Sequence, residues 1–257
     1  MDLSQVRHYF SVIEQTWVYT TLIGFYGLYP ILTSMVYIVT ACVFYFRRPA
    51  RPVLNLSDAE LPFVSVIIPA YCEENVIAQS IRGVLKMDYP AFELIVVNDG
   101  STDRTADVVR EYLRDERVRL LDKKVNEGKS MALNDAILCA QGELVLIMDA
   151  DAVPDRKLLR AMAPHFQWPR VAAVAGNPRV RNAGNLLSRL QAIEFSSVIG
   201  LMRRAQRIWG RVMCVSGVVG MFRKSAIIEA GLFTPGMATE DIDLTWKLQT
   251  KFYDIRY

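Results

Sequence analysis

Residues 92–103 read FELIVVNDGSTD, a nearly unbroken apolar run that stops abruptly at Asn98, Asp99 and Gly100. A strand with apolar side chains on both faces belongs inside a sheet covered on both sides, the usual setting of parallel strands in α/β proteins. The pattern recurs twice. FVSVII at 63–68 runs into Pro69-Ala70-Tyr71-Cys72-Glu73-Glu74, and ELVLIM at 143–148 runs into Asp149-Ala150-Asp151. Between these runs lie helical patterns, ENVIAQSIRGVLK, TADVVREYLRD and KSMALNDAILCA, together with a strand RVRLL, and DRKLLRAMAPHF follows. The alternation predicts an α/β domain with a mostly parallel central sheet. Ligands in such folds gather beyond the carboxyl ends of the strands, so the three polar clusters share one expected cleft.

Working outward, a strand is expected at 171–174, a long helical segment at 186–206, a short strand at 212–215, and a helix opening at Thr239. On the other side, residues 47–61 carry Pro49, Pro52 and charged residues and read as a linker. Before it, residues 15–46 contain no charged side chain, longer than the ~20 apolar residues that span a bilayer. One transmembrane helix is expected there, after an N-terminal segment at 1–14. Arg47, Arg48 and Arg51 follow the span while Arg7 precedes it, which places the large C-terminal part, residues 62–257, in the cytoplasm.

Hydrophobic residues make up 52% of the 257 positions, and the apolar span accounts for the excess over ordinary globular chains. The net charge of +3 comes from 30 basic and 27 acidic residues mixed along the chain, which argues against nucleic acid as the partner. The densest basic stretch holds Arg203, Arg204, Arg207 and Arg211, and reads either as a solvated helix face or as a membrane-surface or diphosphate-contacting helix. Cys42, Cys72, Cys139 and Cys214 form no CxxC pair and are expected as buried thiols in a reducing compartment.

Several residue types at the strand ends suit phosphate and metal chemistry. Asp149 and Asp151 leave a buried strand two positions apart, where two carboxylates can reach one hard divalent cation. Lys129 opens a helix, where backbone N–H groups already favour anions, although the GxxxxGKS spacing of a P-loop is missing. Each feature also has a plainer reading: Asn98-Asp99-Gly100 as a turn, Glu73 and Glu74 as the acidic first turn of a helix, Thr239-Glu240-Asp241 as a capped helix start.

Taken together, VSVIIPAYCEE, VVNDGSTD, NEGKSMALN, LIMDADAVP and ATEDIDLTWKL resemble the processive family 2 glycosyltransferases in order and spacing, from about Phe63 onward. The stretch from Gly176 to Gly210 and the following VSGVVGMFRKSAI look most like bacterial poly-β-1,6-N-acetylglucosamine synthases. The resemblance implies a GT-A fold at 62–257 and inverting transfer of a sugar, N-acetylglucosamine above others, from a UDP-sugar donor to a growing polysaccharide acceptor. It further implies that Asp99 binds uracil, that Pro69, Tyr71 and Glu73 line the nucleotide pocket, and that Lys129 approaches the diphosphate. Asp149 and Asp151 would hold Mg²⁺ or Mn²⁺, Asp149 also touching the donor. Asp241 of the Thr239-Glu240-Asp241 motif would be the general base, with Ser216 and Gly217 near the acceptor sugar. Membrane lipid and a small membrane subunit are further implied partners.

The family's QxxRW motif and later membrane helices are not among these residues, since no Arg-Trp follows Gln249. A truncated product or fragment is therefore expected. Two other activities stay open from sequence: transfer of a single sugar to a lipid carrier, and nucleotide-sugar binding without turnover.

Overall fold

A computed structural model describes residues 2–14, 16–46, 56–181 and 184–257. The chain divides into two compact units, Met1–Arg48 and Pro49–Tyr257. In the first, helix α1 (Leu3–Glu14) precedes helix α2 (Trp17–Phe46). At 30 residues, α2 is about 45 Å long, more than a ~30 Å hydrocarbon layer needs. None of its side chains is buried in protein. Three of its threonines are satisfied internally: Thr21, Thr33 and Thr40 donate to the carbonyls of Trp17, Tyr29 and Val36 at 2.7, 2.8 and 2.7 Å. Such back-bonding is what a lipid-facing helix requires of its polar groups. Residues 47–55 of the expected linker, with Arg47, Arg48 and Arg51, lie outside the described residues. The rest includes one short 3₁₀ turn, Asp58–Glu60.

The second unit is built on a seven-stranded sheet of order β3-β2-β1-β4-β6-β5-β7. The strands are β1 (Val64–Ala70), β2 (Phe92–Asp99), β3 (Val118–Lys123), β4 (Leu144–Met148), β5 (Val171–Ala175), β6 (Val219–Arg223) and β7 (Asp254–Arg256). All neighbouring pairs are parallel except those made by β6, which runs antiparallel to β4 and β5. The mostly parallel sheet is therefore as expected.

Alternation along each strand sends side chains to two separate cores. Val64, Val66 and Ile68 join Phe92, Leu94 and Val96, Leu144 and Leu146 on one face. Helices α3 (Ile77–Leu85), α4 (Thr105–Arg110) and α6 (Leu158–Met162) cover it. Ile77, Ile81 and Val84 of α3 recur at helical spacing and are fully buried, each worth roughly 1.5–3 kcal/mol of burial. The opposite face carries Ile67, Ile95, Val97, Val145 and Ile147 beneath α5 (Lys129–Cys139), α9 (Lys224–Glu229) and α10 (Glu240–Thr250). Between β5 and β6 the chain is helical as α7 (Leu186–Glu194), a π-helical stretch Phe195–Leu201, and α8 (Met202–Ile208).

Three expectations need correction. Residues 212–215 are not a strand, although Val212 and Val215 are buried; side chains of α8 and α10 take the backbone groups a neighbouring strand would use. Thr245 Oγ1 accepts from the Val215 N–H at 3.0 Å, while Gln249 Nε2 donates to the Val212 carbonyl at 2.6 Å. Trp246 Nε1 donates to the Met213 carbonyl at 3.2 Å, and the strand is β6, a few residues later. The cysteines are not buried thiols: Cys42, Cys72 and Cys139 are exposed and Cys214 is half-buried. Finally, Glu73 and Glu74 precede α3, which begins at Ile77.

Candidate active site

The sheet order sends the chain from β1 to β2 on one side and brings β4 to its other side, which opens a crevice at the carboxyl ends of these strands. A cleft of about 440 Å³ lies there, lined by Pro69, Tyr71, Glu73, Asp99, Lys129, Asp149 and Asp151 among others. Every residue expected at the nucleotide and metal is thus brought to one cavity. A slightly larger cleft, about 510 Å³, borders β7 around Trp168, Arg170 and Arg256 and holds none of them.

Asp99 ends β2 and is only 3% exposed. Its carboxylate accepts the backbone N–H groups of Glu127 and Gly128 at 3.1 and 2.8 Å, and Lys123 Nζ stands 3.7 Å away. The aspartate thereby fixes the loop before α5 and forms part of the cleft wall, with spare lone pairs for a further donor. Gly100, at φ +68°, permits this closeness: a Cβ there would lie 2.5 Å from Asn126 N and 2.6 Å from the Val125 carbonyl carbon. Tyr71 is 49% exposed and offers its ring to the cleft mouth.

Glu73, Asp149 and Asp151 concentrate negative charge on the opposite wall. Burial raises the Glu73 carboxyl above its ordinary range, and the charges of Asp151, Asp103 and Asp149 raise it further. Among the described residues no three His, Cys, Asp or Glu side chains form a ready cage for a metal. A hard divalent cation does not need one, because Mg²⁺ commonly takes one or two carboxylates and completes its shell with phosphate oxygens and water. The oxygen donors of Asp149 and Asp151, clustered with the Glu73 carboxyl at one cleft, fit such an ion.

Lys129, the first residue of α5, stands between this cleft and a second, smaller one lined by Lys129, Ser216, Gly217, Glu240 and Asp241. Its ammonium is 2.7 Å from Asp149 Oδ1 and 3.7 Å from Glu240 Oε1. Burial works against its charge, but the Asp149 hydrogen bond and the charges of Asp149, Glu240 and Asp241 outweigh it, so its pKa is raised. Asp241, the second residue of α10, turns its carboxylate toward the 214–217 segment: Oδ2 accepts from Gly217 N and Cys214 Sγ, both at 3.3 Å, and Oδ1 from Ile242 N at 2.8 Å. Ser216 Oγ accepts from Val218 N at 3.4 Å, so Ser216 and Gly217 form a turn and line the small cleft at once. Thr239 is exposed and makes no capping hydrogen bond with its side chain.

One residue was not singled out from sequence. Cys214 hydrogen-bonds Asp241, and its thiol is pushed up to about 12, first by burial and then by the Asp241 charge, so it remains a proton donor at neutral pH. A lone cysteine two residues before Ser216 gave no signal by spacing. Arg203 was read as part of a solvated helix face or of a membrane-surface or diphosphate-contacting helix, and its exposure is corrected. It is 7% exposed, and its Nη1 donates to the Gly176 carbonyl at 3.0 Å. Arg207 likewise turns inward, to Asp254 at 2.6 Å and the Ile255 carbonyl at 3.1 Å. Arg204 and Arg211 keep the exposed position.

Comparison with known proteins bears on the family and the fold. The pattern of Glycosyl transferase family 2 matches residues 65–231. The chain is 35% identical over 241 residues to the poly-beta-1,6-N-acetyl-D-glucosamine synthase of Staphylococcus epidermidis, and 36% identical over 239 residues to that of Staphylococcus aureus strain MSSA476. These alignments cover 92% and 91% of this chain, which spans 58% of the length of either relative. Among solved structures, the mannosyltransferase PcManGT from Pyrobaculum calidifontis, in complex with GDP-Man and Mn²⁺, superposes with a TM-score of 0.67 at 26% identity. That match covers 88% of this chain and 64% of the mannosyltransferase.

Proposed function

The chain belongs to glycosyl transferase family 2, and from that premise we propose that it transfers N-acetylglucosamine from UDP-N-acetylglucosamine to a growing cell-surface polysaccharide with inversion at the anomeric carbon. The fold is GT-A-like, and the protein is membrane-anchored through α2 with the catalytic domain on the cytoplasmic side. The observation that carries the proposal is the gathering of Asp99, Lys129, Asp149 and Asp151 around one cleft, with Asp241 across Lys129 in the adjoining one.

In this reading the uracil base lies against Asp99 and Tyr71, with Pro69 and Glu73 completing the nucleotide wall. Asp149 and Asp151 hold Mg²⁺ or Mn²⁺, which when bound supplies positive charge to the leaving diphosphate. Lys129 adds a second positive charge beside the same phosphates, where charge grows as the bond to the sugar breaks. The acceptor hydroxyl, oriented by Ser216 and Gly217, gives its proton to the Asp241 carboxylate as its oxygen bonds to the anomeric carbon. The bond from that carbon to the diphosphate oxygen breaks, and UDP leaves with the electron pair. Attack from the face opposite the leaving group inverts the centre. Thr239 and Glu240 set the start of α10 and so the position of the base.

The test is UDP binding by calorimetry, with and without a chelator. Binding should require a divalent cation and should weaken by at least about tenfold in Asp149→Asn and Asp151→Asn. Equal affinity in chelator would remove the metal role and leave the two aspartates as a strand-end turn.

A further inference from the structure

Among the described residues, Lys129 gives Asp149 its one short ion pair. The ammonium sits 2.7 Å from Asp149 Oδ1, faces Glu240 Oε1 at 3.7 Å, and borders both clefts. Asp149 is also a carboxylate that the proposed metal must use, and its charge cannot be fully spent on two cations at once. Gly217 leaves the space beside the ammonium open on the Asp241 side, since a Cβ there would stand 3.3 Å from Nζ.

We infer that Lys129 is a built-in stand-in for the metal: its ammonium neutralises Asp149 until a divalent cation and a nucleoside diphosphate arrive together, whereupon Asp149 passes to the metal and the ammonium to the phosphates and Glu240. This rests on the metal reading proposed above. Metal alone must break the Lys129–Asp149 pair and leaves the ammonium with Glu240 only. Metal with diphosphate breaks the same pair but provides the ammonium with phosphate oxygens. The two ligands therefore bind with positive coupling, and by linkage each strengthens the other to the same degree. The consequence is joint loading: neither a bare cation nor a bare nucleotide is held well, and the donor arrives as the metal complex.

The experiment measures Mn²⁺ affinity by calorimetry on the detergent-solubilised chain, first without nucleotide and then with saturating UDP. The forms compared are wild type, Lys129→Met, Lys129→Arg and Asp149→Asn, each checked for folding by its melting temperature. Without nucleotide, Lys129→Met should bind Mn²⁺ about fivefold or more tightly than wild type, because the competitor is gone, while Lys129→Arg stays near wild type. The tightening of Mn²⁺ produced by UDP should shrink in Lys129→Met. A lysine that serves only as a phosphate contact would weaken UDP and leave nucleotide-free Mn²⁺ affinity unchanged. That result, with Mn²⁺ binding lost in Asp149→Asn, overturns the exchange and leaves the metal site standing. Unchanged Mn²⁺ affinity in Asp149→Asn overturns both.

Discussion

Asp241 separates two readings of one residue. As a helix-start aspartate it would tune the α10 dipole, and Asp241→Asn would cost on the order of 1 kcal/mol of stability with little effect on transfer. The observed contacts are of another kind. Its Oδ2 receives the Gly217 N–H and the Cys214 thiol, both from the segment lining the small cleft, while Thr239 beside it leaves the helix end uncapped by its side chain. If Asp241 is the proposed base, these two donors hold its orientation, and asparagine would preserve the shape while removing the proton acceptor. Asp241→Asn is therefore expected to lower sugar transfer by roughly 10²- to 10⁴-fold with UDP affinity and melting temperature nearly unchanged. The comparison belongs in protein whose wild-type form shows measurable transfer from a UDP-sugar. Transfer within a few-fold of wild type would place the base elsewhere.

At the scale of elements, the carboxyl edge of the sheet carries the candidate site and the opposite edge carries a polar knot. Glu93 of β2 is 5% exposed and accepts Ser65 Oγ at 2.6 Å, Gln141 N at 2.7 Å and Arg119 Nη1 at 2.7 Å. Burial disfavours its charge, but the hydrogen bonds from Ser65, Gln141 and Arg119 more than offset this, and the pKa falls below its ordinary 4.5. A carboxyl whose folded pKa is depressed adds stability that is present above its unfolded value and lost as pH falls through the folded one. Wild type should lose stability below about pH 4.5, whereas Glu93→Gln should be weaker by about 1–3 kcal/mol at neutral pH and flatter through the acid range. Thermal melts from pH 7 to 3 check this; parallel curves for the two proteins would mean the knot is not what titrates. β1, β2 and β4 were legible in the sequence because strands buried on both faces must be apolar throughout. The short β6, with Gly220 inside it, has no such signature, and its antiparallel place between β4 and β5 is fixed by tertiary pairing. The site shows the same divide. Asp99, Asp149 and Asp151 could be found as polar residues where apolar strands stop, while Cys214 and the inward turn of Arg203 depend on how α8 and α10 pack.

At the scale of the whole molecule, both cores of the α/β unit are drawn from residues between Val64 and Ile255. What α2 contributes is location, and the sequence around it sets the direction. Arg47, Arg48 and Arg51 follow the span, and Arg7 precedes it. Basic residues within 15–20 positions of a span hold their side in the cytoplasm, and three against one gives a clear bias. The proposed function points the same way, because a cytoplasmic UDP-sugar donor would reach a cleft that lies in the C-terminal unit. A reporter fused after Tyr257 should therefore be active in its cytoplasmic form and silent in its periplasmic form. Replacing Arg47, Arg48 and Arg51 with neutral residues should raise the misoriented fraction, since one remaining basic residue before the span would then set the bias. Periplasmic activity of the wild-type fusion would reverse the orientation and cut the cleft off from its donor; an unchanged distribution in the triple variant would move the orienting signal away from the flank.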